Sequence, residues 1–315
     1  MKSLIFCIFF APIYSKLPAP ANLNNWDHEM IEVTDPSKSA VLMSFQPIYN
    51  DKWDQLNQPL FWKQIMKLSP DSCVFNVGSS RQILAKYPSK VWNCKTEIQK
   101  NKFKDSLKKV YNIPTDEKIL CTGGKSHFYR FDDVYFSLTK GILAFERFQV
   151  DPWYAQAILL IESPGQLVKS NVGAYGPFQL MPGVARMQGL KVDKFIDERE
   201  DFDRSAYAAA SLISKICIPH AKAILESKNI IYNENDLWFR LFVMHVYHAG
   251  AGNVKAVVEK INPKYGGQDL ITKMWQTEVG AFGNSSQNYT QLVIASQMIL
   301  NEMVGNESVK LFSCI

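Results

Sequence analysis

The rhythm of hydrophobic and polar positions changes about halfway along the chain. Before residue 137 the pattern is mixed. LFWKQIMKL (60–68) and EIQKNKFKDSLKKVY (97–111) carry apolar residues at helical spacing, while CVFNV (73–77) and KILCTGG (118–124) read as strand-like or turn-bounded segments. From about residue 138 helix follows helix. Asp151-Pro152 supplies an N-cap and a proline for the first helical position, so a helix is expected over 152–162. DFDRSAYAAASLISKI (201–216) predicts an acid-started helix with a small-residue face. LWFRLFVMHVYH (237–248) is apolar almost all round, which makes it central, and Ala249-Gly250 stops it. A last helix is expected over about 289–303, ending before Gly305. The expected fold is mainly α, with an all-α domain over 138–315 and a smaller mixed α/β domain over 22–137.

One helix ends in an unusual way. In AQAILLIESPG (155–165) the apolar run meets a single carboxylate, Glu162, just before Ser163-Pro164-Gly165 breaks the chain. A helix C-terminus carries partial negative charge, so a glutamate there has the wrong sign. Ile158 and Leu159 lie four and three residues before Glu162, and Ala155 seven before it, which puts the acid on the apolar face. Apolar neighbours and the helix end both oppose ionisation, so a raised pKa is expected. A carboxyl still protonated near neutrality is what protonation of a glycosidic oxygen needs. A salt-bridged glutamate at a frayed helix end is the bland alternative.

The N-terminus adds a location. Residues 1–21 (MKSLIFCIFFAPIYSKLPAPA) join Lys2, an apolar run from Leu4 to Ile13 too short to span a bilayer, and an Ala19-Pro20-Ala21 cleavage pattern. They read as a signal peptide, giving an exported, periplasmic chain that begins near Asn22. Lipidation at Cys7 is the rival, disfavoured because Phe6 precedes it and apolar residues continue past it. The net charge is +5 and falls to +3 without Lys2 and Lys16, so charge says little about a partner. Five cysteines remain after position 21, with no C-x-x-C among them, and their pairing cannot be read from their spacing.

Further along, SNVGAYGPFQLMPGVAR (170–186) and HVYHAGAGNV (245–254) complete an order of motifs. Glu162-Ser163, then Ser170 through Pro182 as S-x-x-G-A-x-G-x-x-Q-L-M-P, then Tyr247-His248-Ala249-Gly250-Ala251-Gly252-Asn253-Val254, resembles bacterial lytic transglycosylases with the goose-type lysozyme-like fold. The resemblance covers roughly residues 138–303. It implies Glu162 as catalytic acid and base and Tyr247 as the tyrosine that orients it. Ser163, Ser170, Gly173, Ala174, Gln179, Met181 and Tyr289 are implied as substrate-binding residues, with Gly173 and Gly176 letting backbone approach the sugar chain. Three features depart from the family pattern. His248 stands where asparagine is usual, the stretch from Glu162 to Ser170 is one residue shorter, and SSQNY (285–289) lacks the acid of the family's late E-T-R-x-Y segment.

What the resemblance implies is non-hydrolytic cleavage of the bond between MurNAc and GlcNAc in peptidoglycan, ending in a 1,6-anhydro ring. A muramidase on the same fold and a silent glycan-binding protein are the alternatives. No organic cofactor and no metal is expected. His245 and His248 share a face three residues apart, but no third ligand stands at a recognisable spacing. The acidic run 197–201 reads as a solvated helix start. The aromatic and basic residues of FYRFDDVY (128–135) do not make a nucleic-acid surface beside their own acids. Peptidoglycan strands are the expected partner and a monomer the expected state.

Overall fold

The computed structural model describes residues 26–34, 39–129, 131, 134–162, 169, 170 and 172–313. The segment 1–21, Cys7 and Ser163 lie outside the described residues. The fold is mainly α, with two small antiparallel sheets in the N-terminal region. In the first, β1 (Met30–Thr34) pairs with β2 (Ser39–Met43), Met30 opposite Met43. The short α1 (Gln46–Asn50) and the longer α2 (Asn57–Lys67) follow. The second sheet has the order β4–β3–β5, built from β3 (Ser72–Val77), β4 (Ile83–Pro88) and β5 (Ile119–Gly123). Between β4 and β5 run α3 (Ser89–Asn93) and α4 (Glu97–Val110). Thr96 opens α4 with a capping box, its hydroxyl accepting from the Gln99 amide while the Gln99 side chain accepts from the Thr96 amide.

Two cores result. β3 presents Cys73, Phe75 and Val77 to Trp92 and Leu107, with Phe75 edge-on to Trp92 at 4.7 Å and to Phe103 at 4.9 Å. Val74, pointing the other way, joins the main core. That main core also takes in Leu42, Met43, Trp53, Phe61 and Ile65, so β2 and α2 pack with the C-terminal helices. Polar bonds reinforce this docking. The buried Gln156 side chain accepts from the Met43 amide at 2.8 Å and donates to the Met43 carbonyl at 3.2 Å. The Arg240 guanidinium, fully buried, meets Glu29 at 2.7 Å and Asp151 at 2.7 Å. Cys73, Cys94, Cys121 and Cys217 are free thiols.

The helical part begins with α5 (Tyr135–Arg147) and α6 (Trp153–Glu162). Asp151 caps α6 as expected, its carboxylate accepting from the Trp153 amide at 2.9 Å. Gly141 lets α5 lie close on α6, because a Cβ there would come within 2.5 Å of Leu159. α7 (Pro182–Met187) is short. α8 (Phe202–Leu212) is capped by Asp201 and passes through a π turn at Ile213–Cys217 into α9 (Ile218–Glu226). Pro219 lacks the N–H that an uninterrupted α-ladder would use, and the π turn lies where that ladder is re-registered. α10 (Leu237–Ala249) occupies the centre and ends at Gly250 as expected. α11 (Ala251–Ile261), α12 (Gln268–Gln276) and α13 (Asn284–Ser313) complete the fold. α13 departs from expectation at both ends. It starts five residues earlier, so Ser285 to Tyr289 are helical, and it continues through Gly305.

Candidate active site

Glu162 is the last residue of α6, at the edge of a 280 Å³ cleft lined also by Ser170, Val172, Ala174, Gln179, Leu180, Met181, Val184, Leu212, Tyr247 and His248. The cleft thus brings together Glu162, Tyr247, Ser170, Ala174, Gln179 and Met181. Glu162 is half-buried, with one edge open to the cleft and protein crowding the rest of the carboxyl. Desolvation raises its pKa from 4.5 to about 7, opposed by the Tyr289 hydroxyl. It is the only carboxylate lining the cleft among the described residues. Three tyrosines surround it. Burial raises the hydroxyl pKa of Tyr129, Tyr247 and Tyr289, and the nearby Glu162 charge raises each further.

Tyr247 and Tyr289 approach Glu162 in different ways. The Tyr247 hydroxyl donates to the Phe178 carbonyl at 2.7 Å. It therefore ties the hairpin at Phe178 to the end of α10, with Glu162 close by. The tyrosine whose hydroxyl acts on the Glu162 carboxyl is Tyr289, assigned from the sequence to substrate binding. That hydroxyl is buried and has no well-formed hydrogen bond among the described residues, so it faces the carboxyl without being committed elsewhere. Below it, Arg81 reaches the first turn of α13, donating to Asn288 at 2.9 Å, and so braces the turn that carries Tyr289. His248, at the cleft mouth, stacks on the Tyr289 ring with centroids 4.1 Å apart. Desolvation pulls its pKa below the ordinary histidine value, so it is a neutral cover for Tyr289. His245 points the other way. Its Nε2 lies 2.9 Å from the Thr290 hydroxyl, and burial lowers its pKa to about 3. Among the described residues no group of three potential ligands is placed to hold a metal.

A small hairpin forms the cleft floor. Tyr175 and Leu180 pair through two backbone bonds, at 3.2 and 3.1 Å, and Gln179 turns the chain with φ +45°. The Ser170 hydroxyl accepts from the Ala174 amide at 2.9 Å, closing the loop before the hairpin. Arg199 locks this floor in place. Its guanidinium, 1% exposed, donates to the Gly173 and Leu180 carbonyls, both at 2.8 Å, and to the Asp197 carboxylate at 2.8 and 2.6 Å. Gly176 has φ +83°, and a Cβ there would come within 1.9 Å of the Arg199 carbonyl oxygen. Gly176 is therefore needed for the close approach of the Arg199 backbone. Gly173, at φ +91°, has open space around its Cβ position. The acidic run is likewise more engaged than a solvated start. Asp201 caps α8, but Glu198 accepts from the Lys191 amide and from Arg204, and Glu200 accepts from Tyr175.

Residues 142–265 match the family model described as the transglycosylase SLT domain. The chain carries an SLT domain. No curated protein matches the chain. The SLT match takes in Glu162, the hairpin, Arg199 and Tyr247, and stops before Tyr289. Tyr289 thus reaches the SLT cleft from a helix that follows the matched segment. Two substitutions separate the tyrosines. Tyr289→Phe removes the influence that lowers the Glu162 pKa, so the alkaline limb of the activity–pH profile should move to higher pH. Tyr247→Phe should leave that limb in place and lower stability by about 1 kcal/mol, the usual contribution of one hydrogen bond. An unmoved limb in Tyr289→Phe would remove Tyr289 from the acid's surroundings.

Proposed function

We propose that the SLT domain cleaves the β-1,4 bond between MurNAc and GlcNAc in peptidoglycan without water, leaving 1,6-anhydromuramoyl ends. The observation that supports this most is a single carboxyl group in the cleft, with a pKa of about 7 and no second carboxylate beside it among the described residues. At neutral pH that group is divided between its two protonation states. Its protonated form donates to the glycosidic oxygen, and the leaving GlcNAc departs as an alcohol. The substrate's N-acetyl group stabilises the cationic centre, in place of an enzyme nucleophile. The carboxylate then takes the proton from the muramoyl C6 hydroxyl as that oxygen attacks C1. One group with a pKa near the working pH suits both steps, whereas the two-carboxylate schemes of hydrolytic glycosidases need a partner.

Export belongs to the same proposal. The substrate is a wall polymer, and a mature chain beginning near Asn22, free of lipid at Cys7, is its signature on N-terminal sequencing. Mass spectrometry of digested peptidoglycan tests the reaction itself. Products lighter by one water than hydrolysed muropeptides are expected, and reducing ends alone would establish a muramidase.

A further inference from the structure

One small part of the chain carries all of its excess positive charge. Residues 72–125 hold eleven lysines and arginines against four carboxylates, a formal +7, while the whole chain sums to +5. These residues form the β4–β3–β5 sheet with α3 and α4, around the separate core at Phe75. Arg81 is buried against α13, and the other ten cations are lysines. Of those ten, only Lys100 forms an ion pair among the described residues, with Glu97. Like charges gathered in this way repel one another and weaken a compact fold. Fold stability therefore gives no reason for them.

Exposed aliphatic side chains stand beside these lysines on α3 and α4. Ile98, Lys102 and Lys109 share the face of α4 opposite the buried Leu107, and Ile98 is 70% exposed. Val91, next to Lys90 on α3, is 48% exposed, and Val110 at the end of α4 is 73% exposed. Asp105 is the one acid on this face of α4. A polyanion in water would engage the lysines and leave these aliphatic side chains wetted. An anionic bilayer engages both, with headgroups meeting the ammonium groups and the aliphatic side chains entering the acyl boundary. We propose that the outer face of α3 and α4 docks on an anionic phospholipid bilayer. This binding is independent of the cleavage chemistry, because none of its residues lines the cleft.

Co-sedimentation of the full chain with vesicles tests it. The probes are phosphatidylcholine vesicles, the same vesicles with a mole fraction of about 0.3 phosphatidylglycerol, and purified peptidoglycan. Binding is expected on the anionic vesicles, falling with added salt, and not on the zwitterionic ones. Lys90→Glu, Lys102→Glu and Lys109→Glu together should weaken it by ~10²-fold or more. Val91→Ser with Ile98→Ser should weaken it by roughly 10-fold, with binding to peptidoglycan unchanged. Both variants change exposed positions, so circular dichroism and cleavage activity should match the parent chain. The proposal is overturned by failure to bind anionic vesicles at low salt, by equal binding to both vesicle types, or by serine variants that bind vesicles like the parent. Lysine-dependent capture by peptidoglycan without vesicle binding would assign the surface to the wall instead.

Discussion

Glu162→Gln is expected to lower turnover by at least ~10²–10⁴-fold, the range that general acid–base steps contribute, while glycan strands still bind. The amide keeps the shape and hydrogen-bonding capacity of the acid but has no proton to transfer. Stability should move the opposite way, with a pH dependence fixed by the raised pKa. In the fold the carboxyl titrates at about 7, against an ordinary 4.5. The native state therefore binds a proton more tightly than the unfolded chain does. Below about pH 4.5 both states are protonated and the glutamate carries no penalty. As pH rises through 7 the native state must ionise a desolvated group, and the wild type loses up to about 2–3 kcal/mol. The substitution should thus raise the melting temperature at pH 8 by several degrees and leave it unchanged at pH 4. Retained activity in a destabilised protein would make Glu162 a structural residue and leave the cleft without its acid.

The second large effect is expected from Gly176→Ala. Alanine at φ +83° is strained, and its Cβ would come within 1.9 Å of a backbone oxygen that a side-chain shift cannot relieve. Arg199 has to move, and with it the bonds to Gly173 and Leu180 that hold the cleft floor. A loss of about 3 kcal/mol or more is expected, with a fall in turnover of ~10²-fold as the cleft-lining residues lose their positions. Gly173→Ala is the control. It has a similar φ but open space, so only the backbone strain of roughly 1–2 kcal/mol should remain. Urea unfolding of both variants measures the difference. Equal losses would mean that conformation alone, and not the Arg199 contact, requires Gly176.

These two glycines mark where sequence reading stops. A G-A-x-G spacing signals left-handed backbone, but it cannot say which neighbour fills the space a side chain would need. The long helices were legible because one apolar stripe or an all-apolar run fixes their burial, as in α6 and α10. Their ends were legible where a cap or a glycine marks them, at Asp151, Asp201 and Gly250. The β1–β2 hairpin was not, since MIEVT and SAVLM are short and Gln156, more than a hundred residues on, supplies their anchor. The lengthening of α13 through Gly305 follows from helical continuity that one glycine does not break. In the site, Glu162 was visible as a charge at the wrong end of a helix. The division of roles between Tyr247 and Tyr289 was not, because it depends on which acceptor each hydroxyl meets. Arg199 was hidden inside an acidic run whose composition suggests solvent, although its guanidinium donates to two backbone carbonyls of the cleft floor.

In the proposed reaction the cleft breaks a glycosidic bond without consuming water. Digestion of peptidoglycan in water enriched in heavy oxygen tests it most directly. New muramoyl ends are expected to carry no heavy oxygen and to be one water lighter than hydrolysed ends. Incorporation of one heavy oxygen at each new reducing end would contradict it.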